Sequence, residues 1–163
     1  MGISDYIRGV REKIGNDLLL LPAISAIIID ADQRVLLHRS SDDGNWYTIG
    51  GAIDPGEEPG DACLREVREE TGLEVEIERL VGVHASPVVV YPNGHQTRYI
   101  GITFRCRPIG GTLGINDDES IELRYFERDQ LPDLRPDQRL RVEHAFDVDR
   151  RPYYQVNGIW RRG

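Results

Sequence analysis

The segment 51–73 constrains this chain most, because it sets glycines and charged residues at fixed spacings around one predicted helix. It reads Gly-Ala-Ile-Asp-Pro-Gly-Glu-Glu-Pro-Gly-Asp-Ala-Cys-Leu-Arg-Glu-Val-Arg-Glu-Glu-Thr-Gly-Leu. Pro59 suits the first position of a helix, where a backbone N–H would have no partner. Gly72 suits the position after the last turn, where a left-handed backbone is readily adopted by glycine. The pattern predicts a helix of about three to four turns between them.

The predicted helix carries apolar and acidic residues on different faces. Its apolar stripe, which we expect to face the core, consists of Cys63, Leu64 and Val67. Glu66 and Glu70 are four residues apart, so their carboxylates lie side by side, and Glu69 joins them. Like charges at this spacing destabilise a helix by roughly 0.2–0.5 kcal/mol per pair. A bound cation makes the arrangement favourable, whereas the structural alternative is a solvated acidic face.

The predicted cation is Mg²⁺, or Mn²⁺, because a ligand set made only of oxygens selects a hard ion. Such an ion polarises a phosphoryl oxygen and lowers the pKa of a bound water that attacks phosphorus. Arg65 lies four residues before Glu69, a spacing that permits an ion pair. We interpret Arg65 as a residue that orients the carboxylates, with an ordinary surface pair as the alternative.

The whole segment resembles the Nudix box. The matching positions are Gly51, Glu57, Arg65-Glu66-Val67, Glu69-Glu70 and Gly72-Leu73. The chain is therefore similar to Nudix hydrolases, and the resemblance implies an α/β fold, the Nudix-type α/β/α sandwich with a mixed central sheet. It also implies an enzyme that uses Mg²⁺ to cleave the diphosphate linkage of a nucleoside diphosphate derivative. The resemblance covers most of the chain and weakens before residue 16 and after about residue 149.

The resemblance also implies roles for single residues. The metal ligands that it implies are the carbonyl of Gly50 and the carboxylates of Glu66 and Glu70. Glu69 is implied as a further ligand, as the catalytic base or as the partner of Arg65. In the segment before the helix, Glu57 either contacts the metal through water or braces the loop. Ile49 stands where the family commonly has proline.

A second acidic region precedes the last predicted strand of the sheet. Glu119 lies six residues before Tyr125, at the spacing where many relatives carry a metal ligand or catalytic base. Its acidic neighbours Asp117, Asp118 and Glu122 compete for this role. A solvated acidic turn is the alternative interpretation.

Substrate contacts are predicted from side-chain chemistry. Arg39 and Arg98 are candidates for phosphate, because guanidinium groups bind phosphate bidentately. Trp46 and Tyr91 are candidates for stacking on a base, with core or edge packing as the alternative for each. Arg98 is more simply a surface arginine.

The substrate class is predicted less sharply than the reaction. Pro87 and Tyr91 resemble markers of ADP-ribose-cleaving and dinucleoside-polyphosphate-cleaving members, respectively, and so disagree. We expect a nucleotide sugar such as ADP-ribose, with nucleoside triphosphates or dinucleoside polyphosphates as the alternative. A non-catalytic nucleotide-sensing module is the alternative of a different class, and the complete set of box carboxylates counts against it.

The remaining sequence predicts one domain over residues 1–163. Predicted helices cover 5–14, within an N-terminal segment 1–15, and about 137–147. Predicted strands fall at 18–29, 34–38, 46–49, 81–83, 88–90, 97–107 and 121–127. The tail 150–163 receives no role.

Composition excludes several partners and locations. The formal net charge is −8, which argues against binding nucleic acid through a basic surface. No apolar run approaches the roughly 20 residues of a membrane span, and residues 1–15 lack the apolar region of a signal peptide. Two cysteines without a disulfide pattern favour a cytoplasmic protein. The expected partner is a small-molecule nucleotide, and a homodimer is predicted by analogy with relatives, with the N-terminal helix as an exchangeable element.

Overall fold

Three α-helices and nine strands form the part of the chain that the computed structural model describes, residues 4–163. The helices are α1 (Asp5–Ile14), α2 (Pro59–Thr71) and α3 (Pro136–Phe146). The strands are β1 (Leu19–Ile28), β2 (Arg34–Ser40), β3 (Trp46–Tyr47), β4 (Leu73–Ala85), β5 (Val89–Val90), β6 (Gln96–Gly111), β7 (Ser120–Glu127), β8 (Tyr153–Val156) and β9 (Ile159–Arg162). The predicted N-terminal segment extends to residues 1–3, which lie outside the described residues. Within residues 4–163, no helix is long and apolar enough to cross a membrane.

The strands form two sheets. The larger sheet has the order β1-β6-β4-β8-β9, with β5 paired to β6, and the smaller has the order β3-β2-β7. In the larger sheet β1 is parallel to β6, whereas β4 is antiparallel to β6, so the predicted mixed sheet is confirmed. The chain leaves β1 through the turn at 30–33 and enters the smaller sheet, where β2 pairs with β7 instead of returning along β1. One isolated bridge, between Ile29 and Val35, connects the two strands across this turn.

The larger sheet lies between α2 and α3. Its strand β1 is therefore buried on both faces. On the α2 side the core joins Ile24, Ala26 and Ile28 to Cys63 and Val67. On the α3 side it joins Ile27 and Ile29 to Val142 and Ala145. Alternate residues of one strand thus supply both cores. The predicted α/β/α sandwich is confirmed.

Helix α2 begins and ends where the sequence predicted. Pro59 occupies the first turn, and Gly72 ends the helix with a left-handed backbone, φ 71°. The predicted apolar stripe was wrong at one residue, because Leu64 is 41% exposed while Cys63 and Val67 are fully buried. Neighbouring residues on a helix are about 100° apart, so the face that buries Cys63 and Val67 turns Leu64 toward solvent.

Helix α1 is attached to its own domain by a buried arginine. The Arg11 guanidinium donates hydrogen bonds to the Gln96 carbonyl (2.7 Å), the Thr97 hydroxyl (2.7 Å) and the Asp17 carbonyl (2.8 Å). The contacts with Gln96 and Thr97 place α1 on β6 of the same chain, while Tyr6 of this helix is 54% exposed.

Replacing Arg11 with alanine is expected to lower the free energy of unfolding by about 2 kcal/mol, since buried oxygens would lose a charged donor. Chemical denaturation of Arg11→Ala measures the change. Lys13→Ala, an exposed position on the same helix, serves as the matched control and should stay within about 0.5 kcal/mol of wild type. Equal stability of the two variants would contradict the anchoring role.

The tail that received no role from the sequence forms a β-hairpin. Asn157 and Gly158 both have positive φ, 52° and 74°, as the tight turn between β8 and β9 requires. Strand β8 pairs in parallel with β4 at Gly82 and Val83. An Asn-Gly pair between strand-forming residues is a strong hairpin signal, so this element was readable from sequence and was missed.

Candidate active site

The loop that carries the paired glycines is fixed along β1 by backbone hydrogen bonds. The Ile49 carbonyl accepts from the Ala26 N–H (2.8 Å), and the Gly51 carbonyl accepts from the Ile24 N–H (2.9 Å). Gly50 bulges between them at φ 157°, and a Cβ there would overlap the Ile24 carbonyl oxygen. Ile49, at the family's usual proline position, is fully buried. Packing and pairing with β1 therefore hold the loop in the absence of that proline.

Helix α2 presents two buried carboxylates beneath this loop. Glu66 is 5% exposed and Glu70 is 3% exposed. Glu70 accepts a hydrogen bond from the Gly50 N–H at 3.0 Å. The Glu66 carboxylate lies against Gly51 so closely that a Cβ on Gly51 would overlap it. The two glycines thus make room for the two glutamates.

The negative charges of Glu66 and Glu70 are only partly compensated by their surroundings. Burial raises the pKa of Glu70 well above its ordinary value, and the adjacent Glu66 charge raises it further. Burial also raises the pKa of Glu66, although Arg65 acts in the opposite direction. Both shifts mean that the fold disfavours the ionised carboxylates. A cation bound to both carboxylates would favour their ionised forms.

Arg65 connects the helix to the preceding loop. Its guanidinium donates to both oxygens of Glu57 (2.7 and 2.9 Å), to Glu66 (2.8 Å), to Glu69 (3.2 Å) and to the Ala52 carbonyl (3.2 Å). The pKa of Arg65 is raised, chiefly by the hydrogen bond to Glu57. The planar fork of arginine suits this bidentate arrangement. The structure therefore places Glu57 as a brace between the loop and Arg65.

Glu119 lies in the loop before β7 and belongs electrostatically to the same region. Its negative charge contributes to the raised pKa of both Glu66 and Glu70. Its backbone carbonyl accepts a hydrogen bond from the Ser41 N–H at 2.7 Å, which fixes the loop to the segment between β2 and β3. The side chain is exposed. The structure thus brings Glu119 toward the α2 carboxylates from another element.

The remaining predicted substrate residues have partners elsewhere. Arg39 donates to the Gly44 carbonyl at 2.9 Å. The Trp46 ring packs edge-on against Phe126, with centroids 4.8 Å apart, beside the α3-side core. The Tyr91 hydroxyl is hydrogen-bonded to that of Tyr99 at 2.5 Å. Within residues 4–163, the hydrogen bonds and ring contacts of Arg39, Trp46 and Tyr91 do not reach the α2 glutamates.

An open cavity of about 690 Å³ lies between Glu69 of α2 and the loop that precedes β7. Its lining residues are Arg65, Arg68, Glu69, Asn116 and Asp117. Arg68 and Asn116 were not among the site residues predicted from the sequence. Arg68 lies one residue before Glu69, and this position next to a predicted site residue was the only feature of the sequence that pointed to Arg68.

The donor set fits Mg²⁺ without forming a closed cage. Among the described residues, no three His, Cys, Asp or Glu side chains converge in ligating geometry. Mg²⁺ keeps several waters and is usually held by one or two carboxylates together with substrate phosphates. Glu66 and Glu70 meet that requirement, and the carbonyl predicted as a further ligand belongs to Gly50, the residue whose N–H binds Glu70.

Comparison with known proteins agrees with this geometry. A family model described as the NUDIX domain matches residues 19–145. The chain belongs to the Nudix family. The resemblance drawn from residues 51–73 is therefore confirmed, and so is the prediction of a Nudix hydrolase. Nudix hydrolases generally use a divalent metal and act on small nucleotide substrates.

Several relatives of this Nudix protein have named activities. An ADP-ribose pyrophosphatase of Methanocaldococcus jannaschii is 36% identical over 72% of this chain and 69% of its own length. A MutT-like protein of Streptomyces ambofaciens is 34% identical over 67% of this chain and 65% of its own length. The crystal structure of a UDP-X diphosphatase superposes with a TM-score of 0.67 at 25% identity, covering 94% of this chain and 75% of the other. The match thus spans about two thirds of the two sequence relatives.

Proposed function

We propose that the protein is a Mg²⁺-dependent hydrolase that cleaves the diphosphate linkage of a nucleotide sugar such as ADP-ribose. The observation that carries this proposal is the buried pair Glu66 and Glu70 beneath Gly50, with like charges that a cation would compensate. The relatives named ADP-ribose pyrophosphatase and UDP-X diphosphatase support the substrate class.

Each residue around the α2 carboxylates has a distinct proposed task. The Gly50 carbonyl, Glu66 and Glu70 would hold Mg²⁺, with Glu69 as a further ligand. When bound, the ion supplies charge neutralisation for the diphosphate and a more acidic water. Arg65 orients Glu66 and Glu69 and fixes the loop through Glu57.

The proton of the attacking water needs an acceptor, and two carboxylates are available. Glu119 lies on a separate element, the loop before β7, and its charge acts on both Glu66 and Glu70. Glu69 lies on α2 between these two residues and accepts a hydrogen bond from Arg65 at 3.2 Å. We assign the base to Glu119 and an orienting or ligating role to Glu69.

Nucleoside triphosphates remain the second candidate substrate class. The MutT-like relative, and a putative 8-oxo-dGTP diphosphatase of Bacillus subtilis that is 36% identical over 65% of this chain, favour it. A nucleotide sensor without catalysis is the third candidate. The complete set of box carboxylates argues against the sensor.

Product analysis on a mixed substrate panel tests these functions. The panel contains ADP-ribose, UDP sugars, dinucleoside polyphosphates and nucleoside triphosphates, each with Mg²⁺ and with excess chelator. We expect AMP and ribose 5-phosphate from ADP-ribose, and no product with chelator. Turnover of triphosphates alone would replace the substrate class. Binding without turnover of any compound would establish the sensor.

Replacing Glu119 with glutamine is expected to lower kcat by about a hundredfold or more, as loss of a general base typically does. The substrate KM should change little, because this role is exercised in the chemical step. Steady-state kinetics of Glu119→Gln and of its exposed neighbour Asp118→Asn measure the difference. Wild-type kcat in Glu119→Gln would remove it from the mechanism, and loss in Asp118→Asn alone would transfer the role.

Location and assembly complete the proposal. A reducing compartment such as the cytoplasm is supported by Cys63 and Cys106, which are buried free thiols. The homodimer predicted by analogy stays a prediction, and light scattering coupled to size-exclusion chromatography tests it.

A further inference from the structure

A second cleft, of about 790 Å³, lies between the C-terminal hairpin, the facing parts of β4 and β6, and the start of α3. Residues from all of these elements line it, among them His84, Arg98, Ile100, Asp137, Leu140 and Trp160. None of these residues has a part in the proposed catalytic step. The hairpin that forms one wall is the element to which the sequence gave no role.

We propose that this cleft binds the nucleobase of the substrate, with Trp160 of the hairpin as the stacking surface. The inference rests on the proposed function, because it assigns the nucleoside part of the substrate cleaved at the α2 glutamates. It makes the C-terminal hairpin a determinant of substrate specificity.

Ser25 of β1 connects the catalytic loop to the α3 side, where the cleft lies. A Cβ on Gly50 would lie 3.0 Å from the Cα of Ser25, so the loop touches β1 at this point. On the α3 side, the Ser25 hydroxyl accepts a hydrogen bond from the buried Arg141 at 2.8 Å. Arg141 in turn is paired with Asp137 at 2.8 Å, and Asp137 lines the cleft. Three successive contacts thus join the catalytic loop to the start of α3, which forms one wall of the cleft, and the proposal places the nucleoside on this side of a diphosphate bound at the glutamates.

Trp160 is held in place as a flat recognition surface. It is half-buried, and its ring packs edge-on against His144, with centroids 4.9 Å apart. His144 itself is stacked on Tyr153 of the same hairpin at 3.6 Å. Aromatic side chains held by such contacts offer binding surface with little loss of conformational entropy. A planar ring is the ligand group that this wall suits.

His84 adds hydrogen-bonding capacity opposite the hairpin. It is 7% exposed, and its ring lies 5.8 Å from that of Trp160. Its Nδ1 has no hydrogen-bond partner among residues 4–163. Burial lowers the pKa of His84 to about 4, so the neutral ring carries one donor and one acceptor at pH 7. This solvent-sealed Nδ1 is a polar atom for which the described residues supply no partner, and it lies in the wall of the cleft.

The charges around the cleft favour a base over a phosphate. Arg98 is exposed and donates to the Ser86 carbonyl. Asp137 contributes a carboxylate that would repel an anion. Ile100 and Leu140 provide apolar surface. A mainly apolar slot with few polar groups is typical of sites for planar organic ligands.

Steady-state kinetics with ADP-ribose test the stacking role. We expect Trp160→Ala to raise KM by about tenfold, in line with measured base-stacking effects, with kcat within about twofold because binding alone is removed. Trp160→Phe should restore most of the affinity. Ile159→Ala is the matched control, since Ile159 is the exposed neighbour of Trp160 and is absent from the cleft lining. Equal KM in Trp160→Ala and Ile159→Ala would overturn the proposal.

A binding measurement on the wild-type chain avoids dependence on folding of the variant. The chain has two tryptophans, so a Trp46→Phe variant assigns their two indole N–H resonances. AMP should shift the Trp160 signal, whereas ribose 5-phosphate, which lacks the base, should not. An unshifted Trp160 signal at saturating AMP would overturn the proposal even if ADP-ribose is hydrolysed. A shift in a chain that hydrolyses nothing would retain the cleft and reject only the catalytic function.

Discussion

Replacing Glu70 with glutamine is expected to lower kcat for Mg²⁺-dependent hydrolysis by about a thousandfold. Glutamine keeps an oxygen that accepts the Gly50 N–H, so the local structure survives while one negative ligand is lost. A bound metal contributes several kcal/mol of charge stabilisation in the transition state, and about 4 kcal/mol corresponds to three orders of magnitude in rate. Initial-rate kinetics with ADP-ribose over a range of Mg²⁺ concentrations measure the loss.

The same substitution separates catalysis from stability. Burial raises the pKa of Glu70 in the folded state above its unfolded-state value. As pH rises from the unfolded-state pKa through the folded-state pKa, ionisation of Glu70 therefore lowers the stability of the metal-free fold. At neutral pH and without metal, Glu70→Gln should therefore melt at a higher temperature than wild type, and Mg²⁺ should raise its Tm less. Glu74→Gln, at an exposed position on β4, should match wild type in rate and Tm. Near-wild-type kcat in Glu70→Gln would remove Glu70 from the site.

Replacing Gly51 with alanine is expected to lower kcat by about a hundredfold through the displacement of Glu66. A Cβ at residue 51 would overlap the Glu66 carboxylate, which must then leave its position beneath the loop. Displacement of a catalytic group by about 1 Å is sufficient for a loss of this size. Because Glu66 is flexible at its end, the folded state should persist, with a loss of about 1–3 kcal/mol from overpacking.

The matched control for Gly51→Ala is Gly60→Ala. A Cβ at Gly60, in the first turn of α2, meets only Ile77 at an ordinary 3.7 Å. Alanine there should keep full activity and raise stability by roughly 0.5–1 kcal/mol. Kinetics and thermal unfolding of both variants measure the contrast. Equal kcat in the two would show that the approach of Glu66 to Gly51 has no role in catalysis.

The α2 helix was predictable because local chemistry determines it. Pro59 and Gly72 set its ends, and helical spacing alone places Glu66 beside Glu70. The orienting role of Arg65 followed from its spacing to Glu69, whereas its contacts with Glu57 required the loop to fold back onto the helix, which spacing alone does not predict. Leu64 was misplaced because a stripe read from sequence leaves the width of the buried face undetermined.

Other features depended on contacts between distant segments. Arg11 reads as a surface residue of an amphipathic helix, yet it is buried against β6, 85 residues away. Trp46 was a candidate for base stacking with core or edge packing as the alternative, and its edge-on contact with Phe126 supports the packing alternative. Strand pairing is likewise non-local: β2 follows β1 directly in the chain, yet β1 pairs with β6. Only the hairpin around Asn157 and Gly158 was missed despite a local signal.

The position of β8 has a consequence for biosynthesis. Strand β4 acquires this neighbour at Gly82 and Val83 from residues that follow about seventy positions later in the chain. At translation speeds of about 5–20 residues per second, that edge stays uncovered for several seconds while the nascent chain grows. An uncovered strand edge can pair with other chains. Slower translation, or a stall before the hairpin emerges, would therefore lengthen the interval in which newly made copies can associate incorrectly.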